Sequence, residues 1–192
     1  MKVSQREREE VRSAMRESVD RSGLTQAEFA RAIGTSATRL STYLSGATIP
    51  SAAMYLRTVR LGPAIELAIR HELMAPDRAT AAIDTALATG EEDYAIRMVL
   101  QSRDDLRANP DARPAWSYRT TTASSHTLDA LLRAVIEQEF ADDPPAWTAA
   151  DPLPEDWLPE DPFRSSDQVR SQTPQWLARH RIFIADRALQ TA

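Results

Sequence analysis

The side chains able to make or break bonds are few in this sequence and stand apart. Its three histidines, His71, His126 and His180, fall in no metal-binding spacing such as H-E-x-x-H. His71 adjoins Glu72, but adjacent residues of a helix do not face each other and cannot work as an acid–base pair. There is no cysteine, which excludes a thiol nucleophile, a thiolate metal site and a disulfide-stapled fold. No glycine-rich phosphate loop occurs. The acidic runs Glu91-Glu92-Asp93 and Asp104-Asp105 read as helix-capping or solvated carboxylates. Nothing here supports catalysis, a cofactor or a metal site, so the expectation is a protein that is not an enzyme and acts by binding.

What it binds depends on where its charge lies. The 192 residues sum to −5, but residues 1–62 hold ten Lys/Arg against six Asp/Glu, a balance of +4. The other 130 residues hold thirteen against twenty-two, a balance of −9. A basic head on an acidic body presents two surfaces that suit different partners. The opening MKVSQREREE has no signal-peptide character, and no apolar run approaches the roughly 18 residues of a membrane span. The expected setting is the cytoplasm, away from membranes.

The head must be built of helices. Val11, Met15 and Val19 stand at helical spacing in a segment from about Ser4 to Ser22, ended by Gly23. Its Arg6, Arg8, Arg12 and Arg16 alternate with Glu7, Glu9, Glu10 and Glu17, which reads as a salt-bridged solvated face. Thr25 and Glu28 have capping-box spacing for a short helix from about Gln26 to Ile33, with Leu24 and Phe29 able to staple its entry. Gly34 makes the turn, and Thr35 or Ser36 caps a third helix through Leu40 and Leu44 to Gly46. Ser51 caps a fourth helix to Leu61; Gly62 reads as its stop, and Pro63 as the opening of a fifth through Ile65, Ile69 and Leu73.

Two short helices joined by a tight glycine turn, with the small Ala30 at their crossing and Leu40 and Leu44 as anchors, meet the requirement for a helix-turn-helix. The stretch LTQAEFARAIGTSATRLSTYLSGATIPS closely resembles the Xre-type helix-turn-helix of the Cro and lambda-repressor-like regulators, over about residues 5–74. That resemblance implies a five-helix domain that binds double-stranded DNA, as a sequence-specific transcriptional regulator and repressor, with Ser36–Leu44 as recognition helix. By position it assigns base reading to Gln26, Ala37, Thr38, Ser41 and Thr42, and phosphate contacts to Thr35, Arg39, Tyr43, Ser45 and Thr48. Ala, Thr and Ser make methyl contacts or single hydrogen bonds, so each position discriminates weakly. A homodimer reading two neighbouring half-sites would compensate.

The rest is expected to be helical too, giving an all-α protein. Pro76–Ala88, Glu91–Ala108 and Thr127–Phe140 carry apolar residues at helical spacing, so residues 75–140 read as a helical interaction or dimerisation region. Residues 141–163 hold six of the twelve prolines and seven acids without one basic residue, and read as a Pro-rich acidic linker. Residues 164–192 read as a helical tail. Trp147, Trp157, Trp176 and Phe183 are candidates for binding a protein partner through residues 75–192, the alternative being that Trp147, Trp157 and Phe163 fold back on the body. The C-terminal end is similar to regulators of bacterial toxin–antitoxin operons with nucleotidyltransferase-type toxins. That likeness implies an antitoxin which autoregulates its operon and holds a toxin.

Overall fold

Side-chain caps begin each of the first four helices. In the computed structural model, which describes residues 4–190, helix α1 (Gln5–Ser22) starts at Ser4 and α2 (Gln26–Ala32) at Thr25. Both carry full capping boxes: the Thr25 N–H donates to Glu28 Oε2 at 2.9 Å and the Glu28 N–H to Thr25 Oγ1 at 3.3 Å. Ser36 caps α3 (Ala37–Leu44) and Ser51 caps α4 (Ala52–Arg70). Gly23, Gly34 and Gly46 take positive φ in the turns between them, a conformation L side chains resist. Met15, Phe29, Ala30, Ile33, Leu40, Tyr43 and Leu61 form the core that holds the four helices together.

The expected fourth and fifth helices are one. Gly62 and Pro63 both lie inside α4, where a proline lacks the N–H of the helix ladder. The buried Ser18 hydroxyl enters the ladder one step before the proline: it accepts from the Gly62 N–H at 3.0 Å and donates to the Thr58 carbonyl, four residues earlier. Gly62 is therefore a crossing point and not a stop. A Cβ on it would lie 1.9 Å from the Ser18 carbonyl oxygen, so glycine is what lets α1 and α4 approach here.

The chain divides into two units. The first comprises the chain up to Leu73 together with Asn109–Tyr118, whose 3-10 turns (Pro110–Ser117) pack along α4 and bury Ala112, Ala115 and Trp116. The head thus includes ten residues that the sequence placed in the helical region 75–140.

The second unit comprises Met74–Ala108 and the chain from Arg119 onward. Helix α5 (Pro76–Ala88) packs on α6 (Glu92–Ala108), and α6 packs on α7 (His126–Phe140). Two short helices follow, α8 (Ser166–Gln172) and α9 (Gln175–Ala178), the latter against α7. Among the described residues there is no strand, only an isolated parallel bridge between Trp157 and Ile182.

That bridge corrects the linker reading of 141–163. The Trp157 N–H donates to the Arg181 carbonyl at 2.9 Å, the Phe183 N–H to the Trp157 carbonyl at 2.8 Å, and the Leu153 N–H to the His180 carbonyl at 3.2 Å. With Leu153, Ile182 and Ile184 buried, the Pro-rich stretch and the tail fold together. A buried ionic cluster secures the other end of the stretch. Asp129 accepts from Arg119 and, at 2.6 Å, from Arg133; Arg133 also donates to the Trp147 carbonyl, and the Arg119 guanidinium lies over the Trp147 ring, 5.2 Å from its centre.

Candidate nucleic-acid interface

Local chemistry sets the geometry of the α2–α3 pair. Ala30, fully buried, lets the helices cross closely, and Gly34 turns the chain at φ 75° while the Thr35 N–H donates to the Ala30 carbonyl at 2.8 Å. Leu40 and Tyr43 anchor the inner side of α3 in the core. Its outer side is then fixed by helical periodicity: Ala37, Thr38 and Ser41 are exposed and Thr42 is half-buried. Gln26, the first residue of α2, is exposed as well. The Thr42 hydroxyl donates to the Arg39 carbonyl at 2.8 Å, which leaves it a methyl and an acceptor to offer a ligand.

The five residues assigned to phosphates are placed differently from one another. Arg39, Ser45 and Thr48 are exposed and Thr35 is half-buried. Ser45 donates back to the Thr42 carbonyl at 3.1 Å. Tyr43 is a correction: its ring belongs to the core, 5% exposed, and its hydroxyl accepts from Arg39 Nε at 3.0 Å. It orients Arg39, and is too deeply packed to be a surface contact in its own right.

The basic residues of the head sort into two groups. On α1, Arg6 pairs with Glu10, Arg12 with Glu9, and Arg21 with Glu17 and Glu66, while Arg16 donates to the Leu44 carbonyl at the end of α3 at 2.9 Å. These arginines serve the fold, as the alternating Arg/Glu pattern anticipates. Arg8, Arg31, Arg39, Arg57 and Arg60 are exposed and have no carboxylate partner among the described residues, and of these Arg31 and Arg39 lie on the α2–α3 pair. Arg57 reaches the turn itself: a Cβ built on Gly34 would lie 3.7 Å from its Nη1. Arg31 and Arg57 escaped the sequence reading. The signal for Arg57 was present in the absence of an acid three or four residues to either side, where helix neighbours would neutralise it.

The partner-binding candidates of the body are taken up by its own fold. Trp147, Trp157, Trp176 and Phe183 are all half-buried, Trp147 under Arg119 and Phe183 under Arg170, 4.3 Å from the ring centre. Phe163 does not fold back; it is 87% exposed. His71 and His126 are exposed, and His180 sits half-buried 3.0 Å from Glu137, where burial holds its imidazole below the usual value against the pull of that carboxylate. No group of three metal-ligating side chains occurs among the described residues, and none of their helices is long and apolar enough to cross a membrane.

Residues 7–61 match the family profile described as a helix-turn-helix domain, which takes in α1, α2, α3 and the first half of α4. No curated protein and no solved structure matches the chain. The matched span contains the crossing, the turn and the exposed helix face described above, the arrangement by which such domains bind DNA.

Proposed function

From a helix-turn-helix domain at residues 7–61, we propose that this protein is a transcriptional regulator of the Xre type, a repressor that lays α3 in the major groove of its operator. The observation that carries this reading is the combination on one small domain of an exposed, uncharged α3 face, Ala37, Thr38 and Ser41, with Arg31 and Arg39 on the α2–α3 pair and Arg57 beside its turn, none of them neutralised by a carboxylate. Thr38, Ser41 and the Thr42 oxygen meet base edges, with Gln26 at the start of α2 beside them. Arg31, Arg39 and Arg57 meet phosphates and hold the register.

The base contacts are single hydrogen bonds and methyl contacts, each weaker in discrimination than a bidentate pair. Two copies on half-sites about 34 Å apart make up the specificity, and a repressor follows from such a dimer occupying promoter DNA. With three arginines per copy on phosphates, log affinity falls against log salt with a slope of about −3 for each copy.

The test begins with selection of bound duplexes from a random pool. Thr38→Ala combined with Ser41→Ala is expected to weaken the selected site and leave non-specific binding unchanged. A selected site bound equally well by that double variant would refute the placement of α3, and an affinity indifferent to salt would refute the phosphate contacts. Fusion of the selected site to a reporter promoter reads the sign: repression is expected.

A second reading adds a protein partner held by the acidic body, as in an antitoxin. The observation that favours it is a body with free carboxylates beside exposed aromatics. Co-purification of the full chain with the product of an adjacent toxin-like reading frame tests it.

A further inference from the structure

We infer that the base pairs under α3 are A·T pairs, recognised through the C5-methyl groups of their thymines. The inference rests on the reading that α3 enters the major groove, and it names the chemistry that α3 selects there.

Helical period puts Thr38 at the centre of the outer side of α3, opposite the buried Leu40 and Tyr43, with Ala37 and Ser41 to one side of it and Thr42 to the other. These four side chains carry no charge and no amide. None can form the paired hydrogen bonds by which arginine singles out guanine or glutamine singles out adenine. The one charged residue of α3, Arg39, sits roughly a quarter turn away from Thr38, and its Nε donates to the Tyr43 hydroxyl at 3.0 Å on the core side. That bond holds the guanidinium at the flank of the helix, away from the outer face.

Hydroxyls and methyls are what the face has left. The Thr38 and Ser41 hydroxyls have no partner among the described residues, and a hydroxyl both donates and accepts, so it suits the edge of any base and selects weakly. Thr42 is more selective. Its hydroxyl donates to the Arg39 carbonyl at 2.8 Å, which fixes the side chain as a methyl beside an acceptor oxygen. An A·T pair presents the matching groups in the major groove, a thymine methyl and an adenine amino group, whereas a C·G pair presents an amino group and no methyl. The Ala37 and Thr38 methyls extend the same apolar contact. Gln26, exposed at the start of α2 and the only amide side chain of the α2–α3 pair, is of the type that bonds adenine N6 and N7 together.

The test titrates the full chain against the duplex selected from a random pool, and against the same duplex synthesised with uracil for the thymines of both half-sites. Uracil removes the major-groove methyl and keeps the base pairing. Each methyl lost from contact should weaken binding about four-fold, and the fully substituted duplex about ten-fold or more. Where C·G replaces a contacted T·A pair, 5-methylcytosine should bind about four-fold better than cytosine, because it restores the methyl without the base. Thr38→Ser with Thr42→Ser keeps both hydroxyls and deletes both γ-methyls, and should lose most of the preference for thymine over uracil; Thr42→Val, which keeps the methyl, should retain it. Equal affinity for the thymine and uracil duplexes would overturn the inference, since any A·T preference would then come from DNA shape. So would a selected half-site made of G·C pairs. In both cases α3 stays in the groove if Thr38→Ala with Ser41→Ala still weakens the selected site. Failure of the pool to yield any preferred sequence would overturn the inference together with the reading beneath it.

Discussion

The two units differ in how much of their arginine is paired. In the acidic body one guanidinium after another is held by a carboxylate of the same unit: Arg107 by Glu139, Arg119 and Arg133 by Asp129, Arg164 by Asp161, Arg170 and Arg181 by Asp156, Arg179 by Glu137. In the basic head the pairs gather on α1 and around Glu66, and Arg8, Arg31, Arg39, Arg57 and Arg60 are left to solvent. A paired guanidinium has most of its field cancelled and its donors occupied, whereas a free one keeps both for a phosphate. The difference teaches that net charge by region marks where an anion can bind, and pairing decides which side chains bind it.

The units also differ in what keeps them folded, and the buried cluster of the body is the place to break that contrast hardest. The Arg119 side chain is 2% exposed and that of Asp129 10%. Asp129→Ala leaves Arg119 and Arg133 without their shared anion, so the second unit should lose about 3–5 kcal/mol, the cost of orphaning a buried charge. Denaturant unfolding with segment-resolved hydrogen exchange checks this: α7 should lose protection while α4 keeps it. Equal loss in both helices would show that the units are not separate in stability.

Acid should sharpen the same contrast by a smaller amount. Burial pushes the Asp129 carboxyl up, but the hydrogen bond from Arg133 and the charge of Arg119 outweigh it and hold the group below the ordinary value. The native state therefore binds that proton less readily than the unfolded chain. Its contribution is complete above an unfolded carboxyl pKa of about 4 and is lost as pH falls through the lower folded value. In the head the depressed carboxylates, Glu7 by hydrogen bonds from Ser4 and Glu66 by one from Arg21, are exposed and screened. As pH falls below about 4, exchange in α7 should accordingly accelerate more than exchange in α4; an equal or larger acceleration in α4 would contradict this account of the cluster.

Caps made the head's first helices legible, as helical period made α5, α6 and α7 legible to within a residue; what escaped depends on contacts distant in sequence. Ser4 with Glu7 and Thr25 with Glu28 are three residues apart, so their reciprocal hydrogen bonds are written locally, and Gly23, Gly34 and Gly46 mark turns that need positive φ. Gly62-Pro63 has the same local form as a stop followed by a start. Inside the continuous helix Gly62 is where α1 crosses, its N–H bonded to the Ser18 hydroxyl 44 residues away, and no local pattern carries that. Asn109–Tyr118 was likewise assigned by its neighbours, although Trp116 is buried in the first unit. Trp157 pairs through its backbone with Arg181 and Phe183, and backbone pairing across a proline-rich stretch leaves no trace in side-chain periodicity. The recognition face was legible because helix period alone fixes it once Leu40 is inside. Arg57 was not, because its nearness to the turn depends on how α4 packs.

The crossing at Gly62 gives a change confined to the head. Gly62→Ala drives a Cβ into the Ser18 carbonyl, which is backbone and cannot rotate away, so the first unit should lose about 1–3 kcal/mol as overpacked cores do. Thermal unfolding of the variant measures it, and the body's exchange pattern should be unaltered. Thr25→Ala removes one half of a capping box and should cost about 1 kcal/mol, again in the head alone. A Gly62→Ala protein as stable as the parent would mean that α1 and α4 can part here without penalty.

The smallest effect tests the division of arginines most directly, because it leaves stability alone. Arg57 is exposed and unpaired beside the turn at Gly34, and Arg12 is paired with Glu9 on α1. Both sit in the head and both carry the same charge, so a field set by net charge would treat them alike. If pairing decides, Arg57→Gln should reduce the salt slope of DNA binding by about 0.9 and weaken all sequences uniformly. Arg12→Gln should leave the slope nearly unchanged, since the released Glu9 carboxylate adds only a screened repulsion. Binding isotherms at several salt concentrations separate the two cases. Equal slopes for the two variants would mean that the head attracts DNA through its summed charge and that the pairing on α1 has no part in where the phosphates sit.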